Sequence, residues 1–346
     1  MAHELLLSDG FDWASSGSDL TKRWTFRDSA VNVSATYARG TGKGVTISPQ
    51  TTQAGSLDLV YNLLASKRMG IIGFAIYYED LNDFGTLTGA PLKITHDVTQ
   101  LTLVLDTSNF FRLYRGSHNG TLLATGTTLI QTVTWYYVEL RFFIDSTAGS
   151  YELKINESTE FSATSVNTQA STVEGKWSQF GFTPHYSSGQ YWLDDVYALG
   201  DDTDTAGGFL GDVKVDYYLP NADGTYTDFT RSAGTTDYEL VDEAVPSATD
   251  YLYSSTTGHQ VTVNFADAPS GADIVGVGAW AHCSLGTGGG RDVKVLCKSG
   301  ATLDQGAAQR VSTNQGRFGG YLNDPNTASS WTLTNLNAAE FGLEIA

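Results

Sequence analysis

Short runs in which apolar and polar residues alternate follow one another along almost the whole chain, and this pattern most limits its fold. "GVTISP", "LDLVYNLLA", "GIIGFAIYY", "QLTLVLD", "NFFRLYRG", "VTWYYVELRFFID", "GSYELKIN" and "QFGFTP" are separated by Gly, Asn, Asp and Ser turns. A period of two puts successive side chains on opposite faces of an extended strand. Many such runs at short spacing predict an all-β sandwich or barrel rather than βαβ units. In "NFFRLYRGSHNGTLLATG" the Asn119-Gly120 dipeptide between two alternating runs predicts a hairpin. No segment carries a helical apolar stripe over several turns; "NAAEF", residues 337–341, is the best candidate for a short helical turn.

At 346 residues the chain has room for two domains with their own cores. The composition changes at "GDDTDTAGGFLGD", which is polar and Gly-rich, and new strand-like runs follow: "DVKVDYYLP", "HQVTVNF", "ADIVGVGAWAHCS" and "RDVKVLCKSG". The expected division is 1–207 and 208–346. With 20 Lys and Arg against 38 Asp and Glu, the net charge is −18. Such a surface repels phosphate backbones and anionic lipid, which argues against nucleic-acid or membrane partners. The start, "MAHELLLSDG", has no basic region and too short an apolar run for a signal peptide. A soluble product of the cytoplasm is therefore expected, whatever its final destination.

From "VTWYYVELRFFIDSTAGSYELKINESTEF" to the closing "QFGF" and "YWLDDVYAL", the order of elements resembles a concanavalin A-like jelly roll of the laminin-G type. The resemblance covers about residues 1–205. It implies two packed antiparallel sheets with the first and last strands side by side, so that "ELLLSDGFDW" pairs near "YWLDDVYAL". The second half, with "FLGDVKVDYYLPNADGTYTDFTRSAGTTDYELVDEAVPSATDYLYSS" and the ending "NDPNTASSWTLTNLNAAEFGLEIA", resembles a segment of tailed-bacteriophage and prophage proteins that follows a laminin-G-like domain. Phe229 stands where that resemblance leads one to expect Trp. The fold expected is all-β: a jelly-roll sandwich, then a smaller β-sandwich.

Several acidic groups invite a chemical reading. In "YWLDDVYALGDD" strict strand alternation sends Asp194 and Asp195 to opposite faces, so they do not converge as a glycosidase pair must. The Glu-x-Asp-x-x-Glu pattern of jelly-roll glucanases is not found in "WLDDVY", "YYVELRF" or "YELVDEA". Asp201, Asp202 and Asp204 are metal candidates for Ca2+, an ion that takes several oxygen ligands, against the plainer reading of an acidic linker. For glycan stacking on exposed rings, "YYEDLNDFG" offers Tyr78, Asp80, Asp83 and Phe84, and "TPHYSSGQYW" offers His185 and Tyr186. The six histidines have no zinc spacing. Cys283 and Cys297 fall on two strands of an expected hairpin, either as reduced core thiols or, if in register, as a disulfide.

The reading that joins these expectations is a non-enzymatic structural component of a tailed-phage particle, displaying a lectin-like domain at the capsid, neck or tail. Its partners would be other virion proteins and further copies of itself. The alternative is a receptor-binding protein that adheres to host surface glycans. A polysaccharide-degrading enzyme ranks last, for want of a convergent acid pair.

Overall fold

The computed structural model describes residues 3–48, 57–81, 89–183, 190–204, 208–286, 290–312 and 314–346. Contacts divide the chain into two compact units: Ser8–Val215, and Asp216–Ala346 together with Ala2–Leu7. Nearly all regular structure is antiparallel β, as the alternation predicts.

The first unit is a jelly-roll sandwich of two sheets. One sheet orders its strands Ser158–Val166, Gly149–Ile155, Trp135–Phe143, Met69–Tyr78, Tyr191–Asp201, Gly44–Ile47 and Val31–Ser34. Glu4–Asp9 also pairs with Tyr191–Asp201, so the first and last strands lie together as the resemblance implies. The other sheet orders Thr121–Thr125, Phe111–Arg115, Thr99–Leu105, Gly89–Thr95, Trp177–Phe182, Leu59–Lys67 and Phe26–Arg27. The hairpin expected around Asn119-Gly120 is present, joining Phe111–Arg115 to Thr121–Thr125. Large rings fill the space between the sheets. Phe74 packs on Phe182 at 5.2 Å and Phe142 on Trp177 at 5.3 Å. The Trp177 indole donates to the Met69 carbonyl at 2.9 Å, so its polar atom is satisfied as its ring is buried.

One buried carboxylate organises the start of this unit. Asp9 accepts the Phe11 N–H and the indole N–H of Trp13 through one oxygen, and the indole N–H of Trp24 through the other, each at 2.9 Å. Phe11, Trp13 and Trp24 are all fully buried, and Arg23 lies over the Trp13 ring at 4.3 Å. Two tryptophans can enter an apolar core only where an acceptor waits for each N–H.

The second unit is built on a sheet ordered Pro220–Thr227, Gln260–Phe265, Glu340–Ile345, Arg291–Ser299 and Thr302–Gln305, with Gln309–Val311 also paired to Arg291–Ser299. Val277–Cys283 pairs instead with Gln315–Tyr321. The expected hairpin between the two cysteine strands is therefore not formed. Val277–Cys283 and Arg291–Ser299 join different sheets, and Cys283 and Cys297 sit as free thiols in separate apolar clusters. Phe229 packs against the Cys283 cluster. The helical turn is Leu333–Asn337, four residues before "NAAEF", started by Thr332, whose hydroxyl accepts the Asn335 N–H. On the sheet face, Glu340 accepts from Thr225, Thr262 and Lys298. Burial opposes its ionisation, but these donors outweigh that and hold its pKa down at about 2.

Replacing Asp9 by Ala removes the acceptor of three buried donors, at about 1–3 kcal/mol each when left unpaired. Urea unfolding followed by tryptophan fluorescence is expected to show a loss of at least about 3 kcal/mol for Asp9→Ala, and a smaller loss for Asp9→Asn, which keeps one oxygen.

Candidate functional site

The outer face of the eight-stranded sheet collects the chemistry-bearing side chains of the first unit. Its three central strands explain why. Met69–Tyr78 is buried along its whole length, and Tyr191–Asp201 along all but its last residue. Their alternation supplies apolar residues to the core on one side. On the other side the cross-strand rows are Trp135–Tyr77–Trp192 and Glu139–Gly73–Tyr197. Gly73 belongs in the second row because a Cβ there would meet the Tyr197 ring at 2.0 Å. The tyrosine lies flat over the neighbouring strand only where that strand has no side chain.

Asp194 and Asp195 correct the alternation argument. The pairing with Met69–Tyr78 slips between Asp194 and Tyr197, and Asp195 takes a left-handed φ of 50°. A bulge of this kind adds a residue to one strand and re-aims its side chains. Both carboxylates now meet the same arginine instead of facing apart. The Arg39 N–H donates to Asp194 Oδ2 at 2.8 Å, and Arg39 Nη1 lies 3.2 Å from Asp195 Oδ2. Asp194 also accepts the Asp195 N–H at 2.8 Å, and the Tyr137 hydroxyl donates to the Asp195 carbonyl at 3.0 Å.

Residues 209–215 lie across this cluster as a strap. "DVKVDYYLP" was expected to be a strand, but residues 212–219 form no ladder. Within it the Val213 N–H turns back to the Gly211 carbonyl at 2.9 Å, and backbone groups of the strap bond side chains of the sheet. The Leu210 N–H donates to the Tyr197 hydroxyl at 3.2 Å, the Gly211 N–H to Glu139 Oε1 at 2.9 Å, and the Val215 N–H to Asp195 Oδ1 at 2.8 Å. Arg39 donates to the Val213 carbonyl at 2.9 Å and pairs with Asp212. Lys154 lies over the Phe209 ring at 4.4 Å. Under this cover Glu139, Asp194 and Asp195 are 1%, 4% and 2% exposed.

Burial is the largest cause of the shifts that follow. It pushes the Glu139 pKa up, against the lowering effect of the Tyr197 hydroxyl at 2.5 Å and the Gly211 N–H. It pushes both aspartates up as well. The nearby Asp195 charge adds to the rise at Asp194, and Asp12 adds to both, while the Val215 N–H, Arg39 and Lys214 act against the rise at Asp195. The pair titrates as a unit, with pKa values raised above the ordinary carboxylate range.

The sequence candidates fall elsewhere. Tyr78 points into the core and packs on Tyr191 at 5.9 Å, and burial raises its pKa. Its neighbour Tyr77 is the one on the outer face, one residue away from the expected position. Asp80 is exposed at the end of that strand. Asp83, Phe84, His185 and Tyr186 lie outside the described residues. Asp204 is held by Arg141 at 2.5 Å and by the Ser150 hydroxyl at 3.1 Å. Asp201 accepts the Asp202 N–H at 2.6 Å, and Asp202 is exposed. Among the described residues no group of three or more His, Cys, Asp or Glu converges as a metal would need. The residues that sequence reasoning missed are Arg39, Glu139, Tyr197 and the strap. "YYVELRF" did single out the strand that carries Glu139.

An all-β jelly-roll unit with a covered acid face is the class that fold and site define. No protein-family model and no curated protein matches the chain. Solved structures similar to it include the cellulose-induced protein Cip1, at 12% identity and a TM-score of 0.43 over 58% of this chain and 100% of that one. Another is an endo-β-1,4-glucuronan lyase from the fungus Trichoderma reesei, at 14% and 0.39 over 53% and 95%. A third is a carbohydrate esterase from the Shiga toxin-encoding bacteriophage phi24B, at 15% and 0.39 over 58% and 100%. At these values no site residue is carried over.

Two measurements follow from the geometry. The folded-state pKa values of the aspartate pair lie above the unfolded ones, so the folded chain binds protons that the unfolded chain releases. Stability from this pair is therefore full in acid and is lost as pH rises through the neutral range. Asp194→Asn is expected to flatten the decline of Tm between about pH 5 and about pH 9, and an unchanged slope would sink this account. Arg39→Ala removes the guanidinium that joins Asp195 to the strap and leaves the main-chain N–H that Asp194 accepts. Amide exchange at Leu210, Gly211 and Val215 is expected to speed up roughly tenfold or more, with the Phe74–Phe182 core still protected.

Proposed function

We propose that this chain is a non-enzymatic interaction component of a tailed-phage particle, made of a jelly-roll unit followed by a second β unit. The observation that carries the non-enzymatic part is the state of the acids on the outer face. Hydrolysis of a glycosidic bond needs two carboxyl groups open to the substrate on either side of the bond, about 5–10 Å apart. Glu139, Asp194 and Asp195 are instead bonded to one another's neighbours and lie beneath the strap. They fasten a chain segment, which is work for an assembly protein. The placement in a particle is supported by the resemblance of "FLGDVKVDYYLPNADGTYTDF" and "NDPNTASSWTLTNLNAAEFGLEIA" to tailed-phage proteins.

Two experiments test this reading. A reconstruction of the particle encoded alongside this chain is expected to hold density for both units in symmetric copies. Incubation of the full chain with bacterial surface polysaccharides is expected to release no reducing ends. Release that is lost in Glu139→Gln or Asp194→Asn would overturn the non-enzymatic reading.

A further inference from the structure

At one end of the same face the acids give way to aromatic rings. Trp135, Tyr77 and Trp192 form a row across three adjacent strands, with ring centroids 5.4 Å apart at each step. Tyr37 closes over the row from the segment before Gly44–Ile47, 4.2 Å from Trp192 and 5.6 Å from Tyr77. Trp192 and Tyr77 are thereby buried, while Tyr37 and Trp135 stay partly open to solvent. The Tyr37 hydroxyl donates to Glu79 Oε1 at 3.0 Å, which fixes an exposed carboxylate beside the rings. Glu139, the first residue under the strap on the Trp135–Phe143 strand, is four residues from Trp135, about 13 Å in an extended strand. The strap thus leaves this end uncovered.

We propose that Tyr37 and Trp135, backed by the buried rings of Tyr77 and Trp192 and flanked by Glu79, form a binding site for a neutral or amino sugar in a surface polysaccharide. This goes beyond the reading as a particle component by giving the first unit a ligand. The choice of ligand rests on the chemistry present. A pyranose offers an apolar C–H face to a ring and hydroxyls at its edge to a carboxylate and a phenol. Partly open Trp and Tyr side chains backed by a second layer of buried rings make a rigid platform, which holds down the entropy lost on binding. Glu79 and Asp80 at its edge, on a chain of net charge −18, disfavour phosphorylated and acidic sugars.

The test is binding of the full chain to a panel of O-polysaccharides, capsular polysaccharides and peptidoglycan fragments, by affinity electrophoresis and glycan array. Trp135→Ala is expected to weaken a bound neutral or amino polysaccharide about tenfold or more, with Tm nearly unchanged. Tyr37→Phe and Glu79→Gln, which keep the rings, are expected to weaken it several-fold, and Tyr253→Ala on the second unit to leave it unchanged. Should Trp135→Ala fail to fold, Trp135→Phe and Glu79→Gln carry the test. Equal binding by wild type and the Trp135 and Glu79 variants overturns the site, as does silence across the whole panel. Self-association or peptide binding that depends on Trp135 also overturns it, by giving the patch a different occupant. None of these failures touches placement in the particle, which the reconstruction tests by itself.

Discussion

A strand buried on both faces cannot leave a carboxylate on either without bringing it a donor. That constraint governs the first unit. The sheet's central strands have their core face sealed by Phe74, Phe142 and the rings opposite. Their outer face carries Glu139, Asp194 and Asp195, which burial would otherwise drive out of the charged state. The strap meets the constraint with backbone N–H groups from Gly211 and Val215, and Arg39 supplies its guanidinium to Asp195. Remove either and the acids lose partners they cannot replace from solvent. The strap is therefore held to the sheet through these acids and Arg39, while the sheet's own core packs independently of it.

The same constraint separates holding a proton from using one. Raised carboxyl pKa values in a cluster are often a mark of acid–base sites. Here the largest cause is burial beneath the strap. The groups that raise the aspartates, burial and a second acid, are joined by groups that occupy them: Val215, Arg39 and the bulge's own N–H. A structural network perturbs pKa as strongly as a catalytic one. What distinguishes the two is access to the acids, which here lie beneath the strap.

What the sequence made legible were the features that depend on average pattern. Period-two runs gave the all-β sandwich, and Asn119-Gly120 gave its hairpin, because turn chemistry there agrees with the flanking alternation. The resemblance to a concanavalin A-like jelly roll implied the pairing of Glu4–Asp9 with Tyr191–Asp201. The site was less legible because it depends on single departures from pattern. One added residue in the bulge turns Asp194 and Asp195 from opposed to joint partners of Arg39, and an Asp at φ 50° gives no warning where a Gly would. Likewise "YY" at 77–78 does not say which tyrosine faces out; that parity is set by Trp135 and Trp192 on the neighbouring strands. "DVKVDYYLP" alternates like a strand, yet its Val215 N–H bonds the Asp195 side chain and its Val213 N–H turns back to the Gly211 carbonyl. Alternation predicts an extended chain and not what the chain bonds to.

The two ends of the outer face also show why the strap stops where it does. An extended segment gains from carboxylates, which accept its N–H groups whatever its sequence, and gains little from ring faces, which accept weakly. Its contacts accordingly run along Glu139, Tyr197 and Asp195, then end before the Trp135–Tyr77–Trp192 row. The rings are left to cover one another, with Tyr37 as their lid and Glu79 holding that lid by its hydroxyl. A ligand that suits this end must offer apolar C–H faces and hydroxyls together, which is the reverse of what a peptide backbone offers. The division of the face, among the described residues, into an acid half filled from within and an aromatic half covered by its own rings follows from that difference in hydrogen-bonding chemistry.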